Sequence, residues 1–203
     1  MFKSLLLTEH PIQDGLVYNK NWFMNTEIRR LMKNWVDGSK KHTILEIGSY
    51  EGLSSVFFAT YFLDHAESTL TCVDPFMCID NNDHASLLQN QEEEHFLHNI
   101  SICKNKEKIR VCKTISDDFF SQNTKTFDFM YIDGCHECDY IQRDMENGFA
   151  VLEKGGIMWM DDYLGGNTNQ HPTIKETMDQ FLEKHAKECI VIHRGYQLAI
   201  QKI

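Results

Sequence analysis

The sequence predicts an α/β protein, built on one mostly parallel sheet with helices on both faces and closed by an antiparallel hairpin. Three observations carry that expectation. Short apolar, partly β-branched runs alternate with segments of helical periodicity along most of the 203 residues, the pattern of a parallel sheet with crossover helices. The first run, Thr43 to Ile47, breaks into a glycine turn and then a helix-like stretch. The last two, Cys189 to His193 and Tyr196 to Gln201, flank Arg194-Gly195 as the arms of a hairpin. Seven strands result, in what reads as a single domain over 1–203, a length sufficient for a full core.

Taken in order, residues 1 to about 22 form an irregular lead-in, with His10-Pro11 and Asp14-Gly15 as turn signals; it either covers a pocket or frays. Asn25 or Thr26 can cap a helix to about Val36, with Ile28, Leu31, Met32 and Trp35 on one face, stopped by Asp37-Gly38. The core then runs from residue 41. Thr43 to Ile47 leads through Gly48 and Gly52 into a helix from Leu53 to Tyr61. Thr69 to Val73 is the second strand, ending in Asp74-Pro75. Residues 77 to 85 read as loop and Ala85 to Asn99 as helix, the run Glu92-Glu93-Glu94 being its solvated face. Ile109 to Cys112 is the third strand, followed by a short helix at Phe119. Thr126 to Ile132 is the fourth, with a helix from Cys138 to Leu152 after it. Lys154-Gly155-Gly156 ends that helix and Ile157 to Met160 is the fifth strand, closing in Asp161-Asp162. A Gly/Asn loop, Gly165 to Asn169, and His171-Pro172-Thr173 open a helix to about Ala186.

Strand, glycine turn and helix bring backbone close to a nucleotide-sized ligand at a helix N-terminus. Neither the dinucleotide Gly-x-Gly-x-x-Gly nor the phosphate loop is present. Glu46 sits inside the strand end and Glu51 in the turn; such acids repel a pyrophosphate and suit a cationic ligand such as the sulfonium nucleoside S-adenosylmethionine. Glu46-x-Gly48-x-x-x-Gly52 after an apolar strand resembles the first motif of class I S-adenosylmethionine-dependent methyltransferases, over residues 40 to 203. The resemblance implies their Rossmann-like, seven-stranded fold and cofactor contacts from Glu46, Gly48, Ser49, Tyr50, Glu51, Gly52, Pro75 and Asp133. Asp74 lies where a nucleoside-binding fold puts its ribose ligand, or it caps the turn before Pro75. Ser116 and Asp117 match the adenine-contacting positions, although a plain N-cap explains them equally well.

Asp133, Asp161 and Asp162 fall at the carboxyl ends of the fourth and fifth strands, where open α/β sheets bind ligands. Converging carboxylates repel unless a hard divalent ion such as magnesium joins them. Asp133, a helix, Gly155-Gly156, an apolar strand and Asp161-Asp162 together resemble the metal-dependent small-molecule and sugar O-methyltransferases, of the catechol and macrolide or aminocoumarin types. Carried over, the three aspartates are metal ligands. The base departs from both patterns: the catechol-type lysine position holds His136 and the sugar-type aspartate position holds Cys135. His136 is chemically apt as the proton acceptor.

The expected reaction is methyl transfer to a hydroxyl of a small molecule or sugar. The alternatives are a metal-independent methyltransferase acting on a protein or nucleic-acid group, and a non-catalytic nucleoside-binding scaffold. A net charge of −10 argues against a nucleic-acid partner. Seven cysteines without framework spacing suggest reduced thiols and a cytoplasmic setting. Cys135-x-x-Cys138 lacks the second pair a zinc site wants. No run approaches membrane-spanning length. Trp22, Phe23 and Trp35 line an acceptor pocket or belong to the core.

Overall fold

The computed structural model describes residues 12–77, 89–165 and 172–203. Seven strands, β1 (Thr43–Ile47), β2 (Thr69–Val73), β3 (Ile109–Cys112), β4 (Phe127–Ile132), β5 (Leu152–Met160), β6 (Cys189–Arg194) and β7 (Leu198–Lys202), form one sheet in the order β3-β2-β1-β4-β5-β7-β6. β1 to β5 are parallel, whereas β7 runs antiparallel between β5 and β6. The hairpin therefore supplies the antiparallel edge, and the order reverses between β1 and β4, the switch point where such sheets open a crevice.

The helices are α1 (Glu27–Leu31), α2 (Leu53–Phe62), α3 (Gln89–Ile102), α4 (Ser116–Gln122), α5 (Cys138–Val151) and α6 (Ile174–Lys184). Alternate strand residues feed two separate cores. Ile44, Phe129, Tyr131 and Trp159 pack under α1 and α2, with Phe57 and Phe58 at the centre. Leu45, Met130, Met158 and Ile200 pack under α5 and α6, with Met145, Phe149 and Phe181. Thr173 closes a reciprocal capping box with Glu176 at the start of α6. Among the described residues, no helix is long and apolar enough to cross a membrane.

Several boundaries depart from the sequence reading. The helix expected from Asn25 to Val36 is three short pieces: 3-10 turns at Trp22–Asn25 and Met32–Asn34 enclose the five-residue α1. Thr26 does stand at its N-cap, but its hydroxyl donates to the Phe23 carbonyl at 2.8 Å instead of capping. Lys154-Gly155-Gly156 does not precede β5 but lies inside it. Gly155 takes φ +83°, and Leu152 pairs with Phe127 while Ile157 pairs with Phe129, so the extra residues form a bulge. Most of the expected loop at 77 to 85, the start of the helix placed at Ala85, and most of the Gly165 to His171 loop lie outside the described residues.

The lead-in, as far as it is described, is pinned to the body by its main chain. The buried Asn99 side chain on α3 accepts from Val17 N at 2.9 Å and donates back to Val17 O at 2.7 Å. Glu51 accepts from the backbone N–H groups of Asn19 and Lys20, at 2.8 and 3.1 Å.

Candidate active site

The first half of the site is the turn after β1. Glu46 is fully buried on the α2 side of the sheet. Its Oε2 accepts from the hydroxyls of Ser49 and Ser55, and its Oε1 is buried without a well-formed hydrogen bond, near the Ser54 hydroxyl. Burial raises its pKa, against the lowering effect of the Ser54, Ser55 and Ser49 hydroxyls. Gly48 has φ +83°, and a Cβ there would stand 2.0 Å from the Asp133 carbonyl oxygen; only glycine permits that approach. The turn after β1 and the end of β4 thus meet at one point, beneath the crevice.

Asp74 accepts three backbone N–H bonds, from Ser49 (2.8 Å), Tyr50 (2.9 Å) and Phe76 (2.7 Å). Both proposed roles start from this geometry: the carboxylate fastens the glycine turn, and a carboxylate has about four acceptor sites in all. Tyr50, at φ +47°, stacks on Trp22 with ring centroids 5.4 Å apart. Trp22 is exposed at this rim, Phe23 is buried in the core, and Trp35 lies against Trp159.

Three of the turn and adenine candidates, Glu51, Ser116 and Asp117, have neighbours of their own within the fold. Glu51 is fully buried, and besides Asn19 and Lys20 it meets His95 Nδ1 at 2.7 Å; its carboxylate anchors the lead-in. Ser116 and Asp117 are the first residues of α4, not its N-cap, which is Ile115. Asp117 pairs with Arg143 at 3.0 Å. Ser116 lies near Asp144, a carboxylate on α5 that sequence reading passed over, closely enough to favour its ionised form. Asp144 is almost fully buried, and one of its oxygens has no partner. Burial pushes its pKa up to about 6, with the nearby Ser116 hydroxyl opposing. With Asp133, Gly134 and His136 it lines a small cavity. A lone acid within a helical pattern carries no sequence signal of burial, so only the fold reveals it.

The second half is the acidic end of β4 and β5. Asp133, His136 and Asp162 bring ligand-capable atoms within 4.8 Å of one another. His136 Nε2 lies 3.0 Å from Asp162 Oδ2. Asp162, at φ +57°, also accepts from Tyr196 Oη at 2.7 Å. Burial would raise the Asp162 pKa, but the His136 and Tyr196 hydrogen bonds outweigh it and lower it. Asp161, predicted as the third ligand, is turned to protein donors: its own neighbour Asp162 N at 2.7 Å and Tyr131 Oη at 2.6 Å. Tyr131 Oη also lies 3.0 Å from Asp133 Oδ2, and burial with the nearby Asp161 and Asp162 charges drives the Asp133 pKa well up. The ligand-capable trio therefore substitutes His136 for Asp161. The Cys135-x-x-Cys138 pair is not gathered into a metal cluster among the described residues, and Cys138 Sγ donates to Pro172 O at 2.9 Å.

This sheet order, with the Glu46–Gly48 turn at its switch point, is the arrangement that the resemblance to class I methyltransferases implies. A family described as a methyltransferase domain matches residues 45–163. The chain belongs to that family.

Solved structures repeat the fold at low identity. The O-methyltransferase TomG of Streptomyces achromogenes, involved in tomaymycin synthesis and solved with S-adenosylmethionine, is 16% identical, with TM-score 0.59 over 80% of this chain and 73% of its own. A Bacillus cereus O-methyltransferase in complex with S-adenosylhomocysteine is 15% identical, with TM-score 0.60 over 85% and 77%. The Methanococcus jannaschii fibrillarin pre-rRNA processing protein is 12% identical, with TM-score 0.53 over 83% and 68%. Comparison with curated proteins gives no match.

Proposed function

We propose that the protein transfers a methyl group from S-adenosylmethionine to a hydroxyl of a small molecule or sugar, with a divalent cation such as magnesium at the Asp133–Asp162 cluster. The observation that carries this reading is the meeting of Gly48 with the Asp133 carbonyl. It joins the cofactor turn and the acidic cluster in one crevice, as direct transfer between donor and acceptor requires.

The residues suit both groups. The Oε1 of Glu46, buried without a well-formed hydrogen bond, is an acceptor for a cationic donor, and the cofactor carries an ammonium. Asp133 and Asp162 would hold the cation, which supplies positive charge that lowers the pKa of a nearby hydroxyl. His136, its Nε2 3.0 Å from Asp162 Oδ2, is the group beside the cluster whose imidazole takes the acceptor proton. Should His136 itself be the third ligand, as the 4.8 Å gathering allows, the proton passes to water instead. The fibrillarin likeness keeps an RNA acceptor as the rival reading. The net charge of −10 favours the small acceptor.

Calorimetric titration with S-adenosylhomocysteine, with magnesium and with chelator, tests the proposal. Binding of the nucleoside with a separate magnesium heat is the expected result. No nucleoside binding by folded protein refutes the cofactor assignment, and no magnesium heat refutes the metal one.

A further inference from the structure

Two consecutive residues of the hairpin turn address two consecutive aspartates. Tyr196 donates its hydroxyl to Asp162 Oδ1 at 2.7 Å. Gln197, the next residue, is fully buried. Its Oε1 accepts from Ile28 N at 2.7 Å and from Trp159 Nε1 at 2.9 Å. Those two donors fix which end of the amide is oxygen. The Nε2 end is buried without a well-formed hydrogen bond, and it approaches Asp161 closely enough to favour that carboxylate's ionised form.

The turn is itself held from both sides. Leu164 N donates to Tyr196 O at 3.1 Å, joining it to the segment just after the aspartates. There is no slack at that contact, because a Cβ on Gly165 would stand 2.4 Å from Tyr196 Oη and 2.6 Å from Asp162 Oδ1. On the other side, Glu27 of α1 accepts from Gln197 N and lies equally close to His193 Nε2, both at 2.8 Å. Gly195 lets the Glu27 carboxylate in, since a Cβ there would be 2.3 Å from it. A turn serving only to join β6 to β7 needs no such contact with Asp162. The Tyr196 ring, half-exposed, adds little to either core.

We propose that the Gly195–Gln197 turn is a positioning clamp: the turn fixes Tyr196, whose hydroxyl holds Asp162 in register and thereby sets the divalent-cation affinity of the cluster formed by Asp133, His136 and Asp162. This rests on the cation reading above. The hydroxyl of Tyr196 occupies Oδ1 and leaves Oδ2 of Asp162 directed at the cluster, as an outer hydrogen bond orients a ligating carboxylate. Loss of such a bond typically weakens metal affinity about 10–100-fold.

The test is Mn²⁺ titration of the full chain followed by electron paramagnetic resonance, with S-adenosylhomocysteine affinity and thermal midpoint measured alongside. Tyr196→Phe removes one oxygen from a half-exposed side chain and should fold. The expected result is Mn²⁺ binding about tenfold or more weaker in the variant, with nucleoside affinity and midpoint unchanged. Equal Mn²⁺ affinity in the two proteins overturns the clamp while leaving the cation site standing. Absence of Mn²⁺ binding by the unsubstituted protein overturns both.

Discussion

Gly48 and Asp133 are in main-chain contact across β1 and β4: a Cβ on Gly48 would lie 2.0 Å from the Asp133 carbonyl oxygen and 2.5 Å from its carbon. Gly48→Ala therefore adds an atom where there is no room, at a φ of +83° that L-residues avoid. Positive-φ strain and overpacking together should cost on the order of 2–4 kcal/mol. Urea unfolding measures this, and a loss below about 0.5 kcal/mol would show that the two strand ends are not locked.

Glu46→Gln tests the first half of the site. The substitution keeps shape and neutralises the buried carboxylate, so the fold should hold or gain slightly. Affinity for S-adenosylhomocysteine should fall about tenfold or more, as loss of a charge-assisted bond does. Unchanged affinity by calorimetry removes Glu46 from the cofactor's partners.

Asp144 gives a pH-dependent outcome. Its folded pKa of about 6 lies above the ordinary carboxylate value of 3.8, so the folded chain holds a proton that the unfolded chain has released between those values. Stability is then lost as pH rises through that window, and the penalty is complete above it. Asp144→Asn should leave stability unchanged near pH 3.5 and raise it by up to about 3 kcal/mol at pH 8. Chemical denaturation at the two pH values decides. A variant equally stable or weaker at pH 8 contradicts a buried, charge-penalised carboxylate.

His42 runs the opposite way. Burial alone would lower its pKa, but Asp128 Oδ2 at 2.5 Å and the Asp37 carbonyl at 2.8 Å from its two ring nitrogens outweigh burial and raise it. The stabilisation is present in full below the unfolded value of about 6.5 and is lost as pH rises through the folded one. His42→Gln should therefore cost more stability at pH 5.5 than at pH 8.5. Equal costs at both would mean the pair is not charged.

Much of this was legible in the chain because it depends on local order. Thr43–Ile47 with Gly48 and Gly52 announced a buried strand and its turn, and Asp133 and Asp162 announced themselves by standing at strand ends. What sequence does not carry is which partner a polar side chain finds. Glu51 read as a ligand for a cation because it lies in the turn, yet its partners Asn19, Lys20 and His95 stand about thirty to forty residues away. Asp161 and Asp162 read as equals, and the turn after β5, with Asp162 at φ +57°, separates them: one faces Tyr131, the other His136. The bulge in β5 escaped because Gly155-Gly156 spells a turn locally, and only pairing with Phe127 and Phe129 keeps it in the sheet.

The grip on the lead-in has a consequence for how this protein can vary. Glu51 and Asn99 take hold of backbone N–H and C=O groups of Val17, Asn19 and Lys20 rather than their side chains. Any residue except proline at 17, 19 or 20 presents the same groups. Mutational drift there is invisible to the anchor, so two such chains can share the anchorage while their opening segments look unrelated. Alignment letter by letter would miss it; the pair to look for is a buried acid in the turn and an asparagine on the helix above.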